Sequence, residues 1–275
     1  MPDLLFANMP WAHLGIAFAL CLAISALGFR RVDWFISLGY GFSIAAQAVL
    51  FALLYRATLD FWLMAQLLLL AAYGLRLSGF LIMREASPSF TRELEASKAR
   101  SAGINSGAKL AIWLSVSALY VTMASPALFS LSSASIGASV PSLAIGVVIM
   151  VLGLALETAA DAQKARLKAA NPSRFVSTGL FAIVRSPNYF GEMLFWFGAF
   201  ASGIAAYHSV LNWLVALTGL VCIELIMLGS ARRLELKQAE RYGTDAAYQN
   251  YVRRVPVLIP LLPIHSLKAL KIYLG

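Results

Sequence analysis

The chain has 275 residues, of which 60% are hydrophobic and 13% charged, with a mean hydropathy of +0.75; this excludes an ordinary soluble domain and makes the class membrane protein. The net charge of +9, from 22 Lys and Arg against 13 Asp and Glu, would suit a nucleic-acid binder if the cations formed one patch, but they are distributed between apolar runs, which argues against that partner. Cys21 and Cys222 fall inside apolar runs, and His13, His208 and His265 are scattered without partners at metal-ligand spacing, so neither a disulfide framework nor a metal site is expected.

Seven runs are long enough, or nearly so, to cross a hydrocarbon core of roughly 30 Å at about 1.5 Å per helical residue. They lie near 11–29, 34–55, 61–83, 110–131, 140–156, 189–207 and 209–231, with a C-terminal segment from 233 to 275. The first is not a secretory signal, because MPDLLFANMP carries an acidic residue and no basic one where a charged leader belongs, and it is expected to stay in the mature protein. Basic residues alternate with the connections. Arg30 and Arg31 follow the first run, Arg56 alone follows the second, and Arg84, Arg92, Lys98, Arg100 and Lys109 follow the third. The fourth connection has none, and Lys164, Arg166, Lys168, Arg174 and Arg185 occupy the fifth. His208 marks a sixth connection without cations, and eight Lys and Arg come after the last run. An outside N-terminus and a cytoplasmic C-terminus leave Arg56 as the one basic residue on the outer side, as the positive-inside rule requires. The expected architecture is therefore an all-α seven-helix membrane bundle of one domain.

Within the runs, Gln47, Gln66, Tyr73, Arg76 and Glu224 are the unusual polar groups, and polar side chains at such depth are functional candidates by default. GYGFSI (39–44) begins like a dinucleotide fingerprint but has Ile44 at the third glycine position and lies in a span, so it is no Rossmann motif. After the third run, residues 84–109 read as a solvated loop with a short charged helix.

LETAADAQKARLK leaves the fifth run. If the helix continues there, Glu157, Asp161, Lys164 and Lys168 share one face through the spacing i, i+4, i+7, i+11. Such a face is either a ladder of ion pairs or a site for a polar ligand, with carboxylates meeting hydroxyl or amide groups and cations, joined by Arg174 and Arg185, meeting phosphates. RSPN (185–188) then opens the sixth run: Ser186 or Asn188 can cap the helix and Pro187 suits its first turn. Glu192 has no such structural account, since a carboxylate withdrawn from water needs donors, while Gly191 permits a close approach by another backbone or a ligand. The tail turns apolar in VPVLIPLLPIHSLKALKIYLG, but Pro256, Pro260 and Pro263 prevent a spanning helix, and it is expected to pack on the inner face.

ADAQK, then TGLF, then RSPNYFGE resembles the C-terminal half of the steroid 5α-reductase family, especially its bacterial multi-pass members. The strongest likeness covers residues 157–198, with support from AYGLRLSGFLIMR (72–84) and ERYGTDAAYQNYVRRVPVLIP (240–260). PNYFGE also resembles a motif of isoprenylcysteine carboxyl methyltransferases, which implies the alternative of an S-adenosylmethionine-dependent membrane methyltransferase. The first resemblance implies an integral inner-membrane enzyme that binds NADPH at a cytoplasmic mouth and reduces the C4=C5 bond of a 3-oxo-Δ4-steroid or a related enone lipid. It implies cofactor contacts from Asp161, Arg174, Asn188 and Glu192, with Glu157 at a position often held by Asn and Lys168 near a basic position. Arg84, Lys164, Arg185 and Tyr189 complete the expected cofactor-binding set. Tyr73 looks like the tyrosine that hydrogen-bonds the steroid carbonyl. The glutamate that human members carry in span 2 is missing here, and Gln47 is its nearest substitute. The cations favour NADPH, with its 2′-phosphate, over S-adenosylmethionine.

Overall fold

The structure is a computed structural model describing residues 9–86, 95, 98, 101 and 103–271. The expected charged loop at 84–109 lies largely outside the described residues. The described chain is helical throughout: α1 (Trp11–Ser25), α2 (Asp33–Ile36), α3 (Leu38–Leu54), α4 (Phe61–Glu85), α5 (Ser106–Ser135), α6 (Ser142–Ala170), α7 (Pro187–Ser202), α8 (Val210–Tyr242) and α9 (Ala246–Arg254). Single 3-10 turns occupy Ala26–Phe29, Gly179–Ala182 and Ile204–Ala206.

Six helical segments are long and apolar enough to cross a bilayer: Trp11–Phe29, Asp33–Leu54, Phe61–Glu85, Ser106–Ser135, Ser142–Ala170 and Val210–Tyr242. The chain is therefore an integral, multi-pass membrane protein. The run expected at 189–207 divides into α7, whose 16 residues span about 24 Å, and the short turn that follows. By length alone, six crossings rather than seven are shown. Two other helices outrun their apolar stretches. α6 continues fourteen residues beyond the expected end at 156 and α8 eleven beyond 231, because the charged sequences there are rich in Ala, Leu, Glu, Lys and Arg, all good helix formers.

Side-chain caps fix three helix starts: Asp60 accepts from Leu63 N at 2.8 Å, Asn105 from Ala108 N at 2.8 Å and Asp245 from Ala247 N at 2.8 Å.

The chain forms two compact units, one from residues up to Val147 with Ala199–Gly219, the other from Val148–Gly198 with Leu220 onward. In the first, polar contacts join apolar helices. Ser25 Oγ meets Ser117 Oγ at 2.9 Å, Trp113 Nε1 donates to Leu22 O at 2.9 Å, and Gln66 Nε2 donates to Ser202 Oγ at 2.5 Å. Gln66, a functional candidate by its depth alone, is thus a buried interhelical hydrogen-bonding group. Arg31 pairs with Glu85 at the end of α4, with Trp34 stacked under the guanidinium.

The second unit contains the charged half of α6, most of α7, the end of α8, α9 and the C-terminal segment. Its loop 171–186 is held by Phe175, whose ring stacks on Tyr251 (5.5 Å) and meets Tyr248 (5.3 Å) and Tyr242 (5.9 Å) edge-on or tilted. Ala231, Val257, Leu258 and Leu267 form a small core against which Tyr189, Met193, Leu228 and Ile259 pack. The C-terminal segment accordingly folds back on α7 and α8.

Candidate functional site

In the second unit the extension of α6 puts Glu157, Asp161, Lys164 and Lys168 on one face, as their spacing requires. This is the covered face: Glu157 is buried and the other three are partly so, whereas Thr158, Ala159, Ala162, Ala165 and Arg166 are exposed. α7 lies against it with almost no separation. A side chain on Gly191 would place its Cβ 2.6 Å from Glu157 N, and one on Gly153 would fall 2.4 Å from Phe195 N. The partner that approaches Gly191 is therefore the α6 backbone, and the contact sets Glu192 one residue from the turn that carries Glu157. Both carboxylates are buried, at 7% and 4% exposure. Glu224 of α8 is close enough to Glu192 for their charges to interact, so three helices bring acidic side chains to one neighbourhood.

Pro187 is the first residue of α7, which puts Ser186 at the cap position, and Ser186 O accepts the Phe190 N–H at 3.1 Å. Asn188 Oδ1, in that first turn, is buried and has no hydrogen-bond partner. An unpaired amide oxygen at a helix N-terminus is an acceptor suited to a ligand N–H. Tyr189, beside it, packs on the C-terminal core.

Lys168 and Arg185, both of the expected set, are engaged within the protein. Lys168 Nζ donates to Arg174 O at 2.6 Å, Tyr242 Oη at 2.9 Å and Pro172 O at 3.3 Å. These three acceptors use all three of its N–H groups, so Lys168 closes the end of α6. Arg185 is buried, with its guanidinium 3.2 Å from Glu235 Oε1 and a second contact to His265 O, and its own N–H bonds Pro256 O at 2.9 Å. Glu235 Oε2 in turn accepts from Leu267 N at 2.8 Å. Arg185 thus ties the start of α7 to α8 and the C-terminal segment. Arg174 is exposed and Lys164 and Asp161 are partly exposed. The TGLF turn that returns along α6 is held by Gln163, which donates to Thr178 O at 2.9 Å and accepts from Leu180 N at 3.1 Å. Gly179 has φ +61 there, the left-handed conformation that glycine adopts without strain.

α9 closes the same region. Tyr251 Oη donates to Phe181 O at 2.6 Å, and burial pushes its phenol well above the usual range despite the opposing effect of Arg185. Burial raises Tyr248 as well.

Tyr73, Gln47 and Arg84 belong to the first unit. Tyr73 is fully buried, with its hydroxyl 2.8 Å from that of Tyr40. Tyr40 stacks on Tyr120 at 5.4 Å and 24°, and Tyr120 is itself fixed by donating to Phe35 O at 2.6 Å. The span-2 residue that meets Tyr73 is therefore Tyr40. Gln47 lies two turns further along α3, where its Nε2 donates to Tyr120 O at 3.1 Å and Ser43 O at 3.3 Å while Oε1 is buried without a partner. Its unpaired atom is an acceptor, and both amide hydrogens are directed at backbone carbonyls. A signal for Tyr40 exists in the sequence: each tyrosine precedes a glycine, and a Cβ on Gly74 would lie 2.2 Å from Gly41 O, so the two Tyr-Gly pairs mark one close helix crossing. Arg84 stands exposed in the last turn of α4.

Uncharacterized protein C594.04c of Schizosaccharomyces pombe (strain 972 / ATCC 24843) is 38% identical over 81 residues, a segment covering 29% of this chain and 23% of that protein. This chain therefore spans about a quarter of the relative's length. No solved structure matches. A family profile described as "Protein of unknown function (DUF1295)" matches residues 26–255, most of the sequence, and the chain belongs to that family of membrane proteins.

Proposed function

We propose that the protein is an NADPH-dependent reductase of a hydrophobic enone, a 3-oxo-Δ4-steroid or a related lipid, embedded as seven crossings with its cofactor-binding side in the cytoplasm. The observation that carries this reading is the buried, unpartnered Asn188 Oδ1 in the first turn of α7, beside two buried carboxylates on helices in backbone contact. That oxygen suits a carboxamide N–H, and Glu157, Glu192 and Asp161 suit amide and hydroxyl donors. Of the cations expected at the phosphates, Lys164 and Arg174 would hold them, Arg174 being exposed and Lys164 partly so.

NADPH, when bound, would supply a hydride to the β-carbon of the enone, and a proton from solvent or a side chain to the α-carbon would complete the reduction. Negative charge then develops on the substrate carbonyl oxygen. A donor aimed there stabilises the transition state more than the ground state, and Tyr73 is assigned that role. The Tyr40 and Tyr73 hydroxyls share a hydrogen bond, and when Tyr40 is its donor, polarisation along the pair strengthens Tyr73 as a donor to the carbonyl. An apolar surrounding matches the solubility of the substrate and keeps water from the reaction.

The test is incubation of purified protein with NADPH and a 3-oxo-Δ4-steroid, following cofactor absorbance and product mass, beside a parallel incubation with labelled S-adenosylmethionine. Cofactor oxidation with a product two mass units heavier is expected. Label transfer without oxidation would replace this reading with the methyltransferase one.

A further inference from the structure

The C-terminal segment carries a feature that the proposed chemistry does not use. Between Pro256 and Leu267 the chain forms a closed loop, with Val257 N donating to Ile264 O at 2.9 Å and Ile264 N to Leu262 O at 2.7 Å. Its base is buried: Val257, Leu258 and Leu267 join Ala231 in the small core. Its tip is the reverse. Leu261 is 99% exposed, Leu262 45% and Ile264 46%. Leu261 is also the one non-glycine residue with positive φ (+68) among those described, a conformation that disfavours a leucine. The fold thus holds an apolar tip outward through a strained residue, with Leu261 clear of the rest of the described chain.

The height of this tip is set by its base. Leu228 and Ala231 are the α8 residues under the loop, and Arg232 and Arg233 follow them at once, where α8 changes from apolar to charged. The loop therefore sits at the level where that helix leaves the hydrocarbon. Its flanks are cationic. Arg253 and Arg254 end α9, and Lys268 and Lys271 follow the loop, all four exposed; after Asp245 the sequence carries no Asp or Glu. An apolar wedge between two pairs of cations is complementary to a leaflet with anionic headgroups.

We propose that residues 261–264 insert into the adjoining leaflet of the protein's own membrane, with Arg253, Arg254, Lys268 and Lys271 on anionic headgroups. The loop is then an interfacial anchor that steadies the segment bound by Arg185 and Glu235. This inference is independent of the reductase reading, and its test measures no activity.

The test uses the full chain with Cys21→Ala, Cys222→Ala and Leu261→Cys, nitroxide-labelled and reconstituted in vesicles of zwitterionic lipid alone or with added anionic lipid. Collisional relaxation by oxygen is compared with relaxation by a water-soluble nickel chelate. Because Leu261 is almost wholly exposed, the label leaves the fold intact, and Gln249→Cys on α9 serves as the water-exposed reference. Oxygen should dominate at 261, more strongly with anionic lipid. Lys268→Gln or Lys271→Gln should each shift the lipid–water equilibrium of the loop toward water by about fivefold. Dominance of the chelate at 261 in both lipids would overturn the proposal by placing the loop in water. Protection from both relaxants would overturn it too, by showing the tip covered by protein, as in contact with a second copy.

Discussion

Glu235→Gln isolates what the buried ion pair does. The glutamate makes two contacts, to the Arg185 guanidinium at 3.2 Å and to Leu267 N at 2.8 Å, with side-chain exposures of 3% for Arg185 and 5% for Glu235. Removing one partner of such a pair costs about 3–5 kcal/mol, chiefly because the remaining charge is left buried and uncompensated. Glutamine retains an oxygen for Leu267 N, which keeps about 1 kcal/mol. The expected loss is therefore about 2–4 kcal/mol, concentrated in the segment that the pair secures. Amide hydrogen exchange on peptides covering residues 255–270 should read this as a fall in protection of roughly 30- to 700-fold, since local opening follows the free energy of that segment. Peptides from α1 and α3 should be unchanged. Replacing both partners, Arg185→Met with Glu235→Leu, should recover part of the protection, because no lone charge remains. Unaltered exchange at 255–270 in Glu235→Gln would refute the assignment of Arg185 to the C-terminal segment and return it to the phosphate-binding candidates.

Tyr73→Phe should lower turnover on the enone by about 100- to 1,000-fold, the usual loss when one oxyanion donor is removed, while NADPH affinity by fluorescence titration stays within a factor of two or so. Glu192→Ala should do the opposite, weakening NADPH in the same titration by about tenfold or more for a lost charged hydrogen-bonding group. Gly191→Ala should cost about 1–3 kcal/mol of stability, measured as loss of monodisperse protein on heating, because its Cβ would meet Glu157 N at 2.6 Å. Tyr251 gives an alkaline limit. Its pKa in the fold is raised above the ordinary 10.0 by burial, so its stabilising effect is complete below about pH 10 and declines as pH rises toward the folded value. Exchange in α9 should accelerate above that pH, and Tyr251→Phe should remove the pH-dependent part.

The crossing helices were legible because an apolar run of membrane length has few other fates. Their ends were less so. At Glu157 and at Arg232 the hydropathy falls while the backbone hydrogen bonding continues, so a reading based on apolar length stops too early. α7 erred in the other direction, since its apolar run includes residues that turn after Ser202. Within the candidate site, the shared face from Glu157 to Lys168 followed from periodicity alone. What periodicity could not supply was the partner of each charge. Lys168 is satisfied by two backbone carbonyls and a phenol, and Arg185 by a carboxylate fifty residues away; no composition rule points to these. Gln47 and Tyr40 show the same limit: both lie in α3, and only the meeting of two helices decides which one faces Tyr73.

The continuity of α6 has a further consequence. Its 29 residues extend about 43 Å, so one rigid rod begins in lipid and carries acidic and basic groups beyond it. Counting residues then measures height: Glu157 and Lys168 stand about 16 Å apart along the axis, and each added residue upstream would lift the whole series by about 1.5 Å and rotate it by about 100°. A one-residue insertion between Gly153 and Glu157 would rotate every one of these groups by about 100° relative to the Gly153 contact with α7 without altering any of them. The rod is a gauge, read from Gly153 and Glu157 where α7 lies against it.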